Sequence, residues 1–365
     1  MHAIRSPNPE FDPMTLAASD DLYQYGRRLH VYVQGVLAVF RTTGDLALLD
    51  HVDEILETMR AELRDPWRDT EDRTDGTRDG YLNWAWRYSS GGEVYPGKDI
   101  NKLDEMKTHA FVAMVAVALD TNRDLPSPSG RAYGAHADFW RSYLVDHFEA
   151  KWREREGVPS GFPIMTRPHM HTYLSWLKWH YYMGLLTGDP AYAVEASSMA
   201  EWFWGEIRLV DGDGGPAFAW PRSVLALGGG QDYLMPTTYA TSVYADAVEL
   251  HLEGFDRWAR PEAPERFART FVEFVVDSDD PITNGFASDV GGGRRRAGVR
   301  SDARAWPRMT PLGFAESGFP LVAAWDATGT IAELGRDVRA LIGPDGGLMI
   351  EAGGFLNEVL NVPEP

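Results

Sequence analysis

Short turns built around Thr-Gly separate long amphipathic segments in this chain, and they are the feature that most restricts its fold. Thr43-Gly44-Asp45 lies between two such segments, Thr187-Gly188-Asp189 lies between two more, and Thr328-Gly329 recurs near the end. Glycine supplies the left-handed residue that ends a helix, and aspartate is a preferred N-cap for the next one. The turns therefore predict pairs of helices joined as hairpins.

Apolar residues at helical spacing predict five hairpins, which recur every several dozen residues, as is typical of helical repeats and toroids. Long connections rich in Gly, Asp and Arg separate them, at 65–102, 211–235 and 277–311, and loops of this length are usually functional or disordered. We expect residues 1–365 to form one all-α domain, an (α/α) toroid or barrel of five to seven helical hairpins. The long loops would cover one end, with minor β-hairpins at 217–227 and 348–360. The predicted helices span 21–40, 46–63, 104–119, 132–155, 169–186, 191–207, 237–252, 262–276, 312–326 and 331–342.

The composition excludes several classes of protein. The chain has 54 acidic and 35 basic residues and a net charge of −19, which argues against a nucleic-acid binder. It has no cysteine, so disulfides, thiolate metal sites and cysteine nucleophiles are excluded. No apolar run is long enough to span a membrane. The first residues lack the apolar stretch of a signal peptide, so the protein is either not exported or has lost a leader.

Two histidines open the third hairpin, directly after Arg167. Residues two apart on a helix point in different directions, so at most one of His169 and His171 enters a shared site unless this turn is irregular. A neutral imidazole can act as a general base near neutral pH. The alternative for each is a capping or packing role, and His180, deeper in the same helix, is assigned to the core.

Polar residues also open other hairpins. Lys107 and His109 precede a strongly apolar run, which predicts a buried helix whose first turn reaches a cavity, although His109 could instead be a capping residue. Tyr233 and Tyr239 open the fourth hairpin, where a tyrosine hydroxyl near a cation can serve as base or acid. Packing is the alternative for both tyrosines. In the first long loop, tryptophan rings can stack on sugars, and Asn and Arg can bind hydroxyls and carboxylates. The alternative is that these side chains only anchor the loop. The residues are Asn83, Trp84, Trp86 and Arg87.

The common catalytic and nucleotide-binding motifs are absent from the sequence. A calcium-loop-like start at Asp211 fails because Arg222 stands where a bidentate glutamate is required. We therefore expect no metal and no cofactor. A basic run at 294–296 could bind a polyanion or be a solvated loop.

The hairpin pattern and the aromatic loops resemble, over most of the chain, the α/α-toroid carbohydrate-active enzymes. Among these the chain is most similar to polysaccharide lyases that act on uronic-acid polymers such as alginate or glucuronan. The resemblance implies an anionic polysaccharide or oligosaccharide substrate, with no nucleic acid or membrane as partner. It implies catalytic roles for His171, Tyr239, His109 and Asn83. It implies substrate-binding roles for Trp84, Trp86, Arg87, Lys107, Arg167, His169, Tyr233 and Trp176.

β-Elimination suits these residue types, because Asn, Arg or Lys can neutralise the uronate carboxylate while His and Tyr act as base and acid. Three other functions stay open. A toroid glycoside hydrolase would need two carboxylates, and a sugar epimerase would use a pair of histidines. A non-catalytic helical-repeat scaffold would form an extended solenoid that binds a partner protein. The carboxylate candidates for a hydrolase are Asp99, Asp104, Asp232 and Glu316.

Overall fold

A computed structural model describes residues 12–65, 79–85, 89–90, 93–94, 102–158, 162–163, 169–223, 233–276, 280–292, 308–315 and 317–342. This part of the chain is mostly helical, which confirms the all-α prediction. The helices are α1 Pro13–Ala17, α2 Leu22–Gln24, α3 His30–Thr43, α4 Leu46–Ala61, α5 Lys102–Thr121, α6 Tyr133–Tyr143, α7 Ala150–Arg155, α8 Met170–Thr187, α9 Pro190–Glu206, α10 Thr237–Leu252, α11 Ala263–Thr270, α12 Pro281–Asn284, α13 Pro311–Ala315 and α14 Thr330–Ile342.

Several helices continue through segments of different winding. The π-helical segments Tyr25–Leu29, Leu144–Glu149 and Phe271–Val275 lead from α2 into α3, from α6 into α7, and onward from α11. A 3-10 helix, Phe319–Trp325, follows α13. The predicted helix 312–326 is therefore wrong as a single element. Pro320 explains the break, because proline has no N–H for the helix and restricts the residue before it.

Two small antiparallel sheets accompany the helices. β1 (Ser89–Ser90) pairs with β2 (Glu93–Val94), and β3 (Arg208–Gly212) pairs with β4 (Gly215–Ala219). The hairpin predicted at 217–227 forms with the preceding segment instead, because the glycines around residue 214 make a tight turn there. The hairpin predicted at 348–360 lies outside the described residues.

The Thr-Gly-Asp turns have the predicted geometry. Gly44 and Gly188 end α3 and α8 in the left-handed region, with φ of 67° and 70°. Asp45 and Asp189 then cap α4 and α9 by accepting hydrogen bonds from Ala47 N (3.0 Å) and Ala191 N (2.9 Å). The repeated sequence therefore produces a repeated hairpin corner.

Four helices form the centre of the described structure. α3, α5, α8 and α10 contact one another in that order, and α10 also contacts α3. Other helices pack outside them, with α4 against α3 and α5, α6 against α5, and α9 against α8. We call α3, α5, α8 and α10 the central helices. A complete toroid, and the assignment of residues 1–365 to one domain, stay predictions.

Within the described ranges, no helix is both long enough and apolar enough to cross a lipid bilayer.

Candidate functional site

Polar side chains run in stripes along the facing sides of the central helices. α3 and the π-helical turn before it carry Arg27, His30, Gln34 and Arg41, at intervals of three, four and seven residues, which place them on one helix face. The matching stripes are His171, Ser175, Lys178 and Tyr182 on α8 and Tyr239, Ser242, Asp246 and Glu249 on α10. Except for Arg27, Arg41 and Tyr239, all of these residues are buried.

One end of these stripes forms a set that we call the carboxylate layer, which consists of Gln34, Lys178, Tyr182, Asp246 and Glu249. Lys178 Nζ lies 2.8 Å from Asp246 Oδ1 and 3.3 Å from Glu249 Oε2. Gln34 Nε2 donates to the same two oxygens, each at 2.9 Å. The Tyr182 hydroxyl donates to Glu249. The layer joins α3, α8 and α10 and closes the space between them.

The charges of the carboxylate layer compensate one another. Burial acts to lower the pKa of Lys178, but Asp246 and Glu249 outweigh it and the pKa is raised. For Glu249, burial is outweighed by Lys178 and Arg41, which hold its pKa below the usual range. Burial raises the pKa of Asp246 despite Lys178. These carboxylates are therefore committed to structural ion pairs.

Nearer the N-termini of α5, α8 and α10 lies a second set, the histidine layer, which consists of His30, Lys107, His171, Tyr239 and Ser242. Lys107 is buried, and its Nζ donates to Ser242 Oγ at 3.0 Å. Burial and the neighbouring Arg27 lower the pKa of Lys107 to about 8. This ammonium can therefore neutralise an anion near neutral pH and lose its proton in mild alkali.

His171 is in a stack of aromatic rings. Its ring centroid lies 4.8 Å from that of Tyr239 and 5.8 Å from that of His169, with nearly parallel planes. His169 has an extended backbone as the N-cap of α8, and for this reason two histidines two residues apart can stack. Neither nitrogen of His171 has a hydrogen-bond partner among the described residues, although the side chain is buried. The nitrogens of His180, in the aromatic core, are in the same state, so what distinguishes His171 is the cations that act on it, Lys107, Arg27 and Arg222.

Burial, Lys107, His169 and two arginines hold the pKa of His171 well below its usual range, so the imidazole is neutral at physiological pH. A neutral imidazole without an internal partner is able to accept a proton from a bound molecule. Sequence reasoning predicted catalytic roles for His171 and Tyr239, and the structure places their rings together.

Sequence reasoning missed His30. Its Nδ1 is buried with no partner in the described part of the chain, and burial and Lys107 hold its pKa well below the usual range. The available signal was its spacing, because His30 lies three residues after Arg27 and four before Gln34 on an otherwise apolar helix.

Among the described residues, the cations that act on the His30 and His171 imidazoles are Lys107, Lys178, Arg27 and Arg222. Arg27 Nε lies 2.8 Å from Asp104 Oδ1, at the start of α5. The guanidinium of Arg222 lies 5.8 Å from the centroid of the Tyr239 ring. Lys107 and these two arginines lower the pKa of His171 together, and cations grouped in this way favour an anionic ligand.

Three residues predicted for the site are placed elsewhere. His109 Nδ1 pairs with the Glu105 carbonyl (2.7 Å) and its Nε2 with the Tyr143 hydroxyl (2.9 Å), while its ring stacks on Phe148. Lys107 and His109 point about 200° apart around the helix, so they cannot share one site. Asn83 Nδ2 donates to Glu105 at 3.1 Å, and Trp84 Nε1 donates to the Met59 carbonyl at 2.7 Å. These three residues hold the first loop against α4 and α5.

The remaining predicted residues divide into two groups. Trp176 is buried against Tyr173 and His180, on the side of α8 toward α9, and His180 lies in the core as predicted. Tyr233 is half-buried, and its carbonyl accepts from Arg222 N, which ties the segment before α10 to that arginine. Trp86, Arg87 and Arg167, the carboxylates Asp99, Asp232 and Glu316, and the basic run at 294–296 lie outside the described residues.

Among the residues that the structure describes, one cluster has donor atoms arranged closely enough for a metal ion. It consists of Asp53, Glu57 and His136, between α4 and α6. Arg131 lies 3.2 Å from Asp53, and Arg60 lies 3.2 Å from Glu57. These ion pairs already balance the carboxylates, so the cluster is explained as a partly buried salt-bridge network.

Comparison with known proteins gives no further guide to the site: no family model matches the chain, and no curated protein sequence and no solved structure is significantly similar to it.

Proposed function

We propose that the protein is a polysaccharide lyase that cleaves a uronic-acid-containing polymer by β-elimination, on an (α/α) toroid. The observation that carries this proposal is the histidine layer, in which the neutral His30 and His171 have ring nitrogens without a hydrogen-bond partner among the described residues and lie within the influence of the buried Lys107. The closed contacts among the central helices, each with helices packed outside, support the toroid.

The proposed chemistry follows the charges of the site. Lys107, with Arg27 near it and Arg222 beside Tyr239, binds the uronate carboxylate and makes the C5 proton more acidic. His171 removes that proton as general base. The electron pair forms the C4–C5 double bond, the C4–O bond breaks, and the leaving oxygen takes a proton from the Tyr239 hydroxyl. The proton on His171 is then lost to solvent and Tyr239 is reprotonated.

The described carboxylates support a hydrolase less well. Hydrolysis needs two carboxyl groups free to flank the scissile bond. Asp104 forms an ion pair with Arg27, and Asp246 and Glu249 are bound by Lys178 and Gln34. A sugar epimerase is the second candidate, because His30 and His171 both lie in the histidine layer. It would remove the same C5 proton and return one without breaking the C4–O bond.

The test is the absorbance of an unsaturated uronate during incubation with alginate, glucuronan, hyaluronan and pectate. We expect the wild-type protein to produce the signal with at least one polymer. His171→Ala and Tyr239→Phe should each lower the rate about 100-fold or more, as for loss of a general acid or base.

Matched controls are His51→Ala and Tyr181→Phe, whose side chains bond to Tyr32 and the Glu253 carbonyl outside the histidine layer. Both should keep the wild-type rate. Absence of the signal with all four polymers would contradict the lyase, and exchange of the C5 proton with solvent without cleavage would favour the epimerase.

A further inference from the structure

Lys107 differs from the other buried lysines in what holds its side chain. The chain has only five lysines, and among the described residues three lysine side chains are buried, those of Lys107, Lys151 and Lys178. Carboxylates hold Lys151 and Lys178 in ion pairs. The Lys107 Nζ instead donates to the neutral hydroxyl of Ser242, at 3.0 Å.

The cost of burial therefore falls on the charged form of Lys107. Asp104 and Asp246 favour its ammonium, but each of these carboxylates is already paired, with Arg27 and Lys178 respectively. Burial and the neighbouring Arg27 prevail, and the pKa is lowered to about 8. About a tenth of this side chain is consequently a neutral amine at pH 7. Burial beside another cation is one of the ways in which a lysine becomes a nucleophile toward carbonyl carbon.

The surroundings of Lys107 supply the other groups that such a reaction needs. His171 is a neutral imidazole on whose pKa Lys107 acts, and its ring nitrogens have no hydrogen-bond partner among the described residues. It can take a proton from the ammonium and return it to a departing oxygen. Arg27 and Arg222 act on the same imidazole, so guanidinium groups are available for a carboxylate next to the carbonyl. The favoured ligand is therefore an α-keto acid.

The proposed β-elimination generates a ligand of this class. The ring oxygen stays attached to C5, which becomes one end of the new double bond. When an unsaturated residue is released as a free monosaccharide, its ring can open, and C5 then carries an enol. Transfer of the enol proton to C4 makes C5 a ketone beside the C6 carboxylate.

We propose that Lys107 is a carbonyl-reactive lysine that forms an imine with α-keto acids, and that the open-chain monosaccharide product inhibits the enzyme reversibly in this way. The identity of this product rests on the proposed lyase function, whereas the reactivity of the amine does not. Once its nitrogen is part of an imine, Lys107 no longer binds the carboxylate of a new uronate. Cleavage stops until water releases the product.

The steps conserve atoms and electrons. His171 takes one proton from the ammonium, and the Nζ lone pair forms the C–N bond while the carbonyl π electrons move to oxygen. The nitrogen passes a second proton to that oxygen. His171 returns its proton, and water leaves as the nitrogen lone pair forms the C=N bond. Amine and ketone give imine and water, and no oxidant or reductant is needed.

The test traps the imine in the full-length protein with pyruvate and sodium cyanoborohydride, whose hydride reduces C=N to a stable secondary amine. Peptide mapping by mass spectrometry should place one carboxyethyl group on Lys107, while Lys151 and Lys178 stay unlabelled as internal controls. The map also separates any label on the N-terminal amine. Labelling of Lys107 should rise with pH and level off above about 8, whereas an ordinary lysine amine gains reactivity up to about pH 10.

Lys107→Arg keeps the positive charge and removes the nucleophile, so its peptide should take no label. Circular dichroism checks that this variant is folded, and the wild-type map gives a result without it. In wild type, polymer cleavage should fall in proportion to the labelled fraction of Lys107.

Labelling of Lys107 no faster than that of Lys151, or a rate that climbs steadily to about pH 10 as for an ordinary lysine, would overturn the inference. Cleavage that stays unchanged after Lys107 is labelled would overturn the inhibition. Absence of unsaturated product from every polymer would instead contradict the proposed lyase and with it the identity of the ligand, while the labelling pattern tests the amine on its own.

Discussion

Lys107 is the residue whose protonation sets the charge of the site. Its pKa is lowered to about 8 because burial and Arg27 disfavour the ammonium. Below that pH the side chain is charged and attracts a carboxylate, and above it the attraction is lost. A bound anion favours the ammonium, so the apparent pKa should be higher in the complex.

We therefore predict that affinity for an unsaturated-product or uronate disaccharide falls roughly tenfold between pH 7 and pH 9.5, the loss expected for one charge-assisted contact. Calorimetric titration at several pH values measures this. Lys107→Gln should bind weakly and without the pH dependence. A variant that keeps the same alkaline loss would show that another group titrates.

His180 provides a stability prediction that is independent of the site. Burial among aromatic rings lowers its pKa to about 3, while in the unfolded chain the ordinary value of about 6.5 applies. Between these values the unfolded state binds more protons, so stability falls as pH decreases from about 6.5 to 3.

The expected loss from this histidine between pH 7 and pH 4 is about 3 kcal/mol. His180→Phe removes the titrating group, so its unfolding free energy should fall less over that interval than that of wild type. Urea unfolding at the two pH values measures the difference. Equal pH dependence in the two proteins would contradict the assignment of a neutral buried imidazole.

The catalytic roles of His171 and Tyr239 stay predictions. Both residues were expected at the mouths of hairpins, and the structure places them at the starts of α8 and α10 with their rings 4.8 Å apart. Sequence-based prediction failed where the direction of a side chain around the helix axis mattered. Lys107 and His109 are two residues apart and point to nearly opposite sides of α5. His30 was missed because a single histidine in an apolar helix resembles a core residue until its partners on other helices are known.

At the scale of elements, close contact between the backbone at Gly26 and the backbone of α5 fixes the position of the polar stripe on α3. A Cβ on Gly26 would lie 2.6 Å from the Asp104 carbonyl oxygen, so the π-helical turn before α3 touches the backbone of α5. Only glycine allows this distance, which places Arg27 beside Asp104 and His30 one turn further along.

Gly26→Ala should therefore destabilise the protein by about 1–3 kcal/mol, because two backbones must separate. Thermal unfolding measures the change, and activity should fall with it if His30 and Lys107 move apart. The control is Gly205→Ala in α9, where a Cβ meets nothing within 4 Å and no loss is expected. Equal effects of the two substitutions would contradict the close approach.

Helices and corners were the most predictable elements. The Thr-Gly-Asp corners follow from local chemistry alone, since the left-handed glycine and the aspartate cap are both encoded within three residues. The break before Pro320 and the pairing of β4 with β3 were not foreseen, because helical periodicity and strand propensity say nothing about which neighbouring segment completes an element.

At the scale of the whole molecule, α10 contacts α3 in the described part of the chain, as the proposed toroid requires and as an extended solenoid would not. A compact chain of this length should have a radius of gyration of about 21 Å. Small-angle X-ray scattering at several concentrations measures it in solution. An elongated particle of clearly larger radius would contradict closure and favour the scaffold alternative.

Closure could not be predicted from the sequence in any residue-specific way. Gln34 meets Asp246 across 212 positions, and neither the spacing nor the composition of either helix marks the other as its partner. The sequence indicates that stripes of polar residues exist, and only tertiary packing decides which stripes face each other.

The carboxylate layer also has a consequence for synthesis on the ribosome. Among the described residues, the acceptors of the Gln34 amide and the Lys178 ammonium lie on α10, so a nascent chain that ends before Thr237 lacks these acceptors for two donors that the folded protein buries. The first three hairpins would remain loosely assembled until the fourth emerges. Translation of roughly two thirds of the chain should thus precede the cooperative step, and truncated products would be recognised by proteases rather than accumulate as folded fragments.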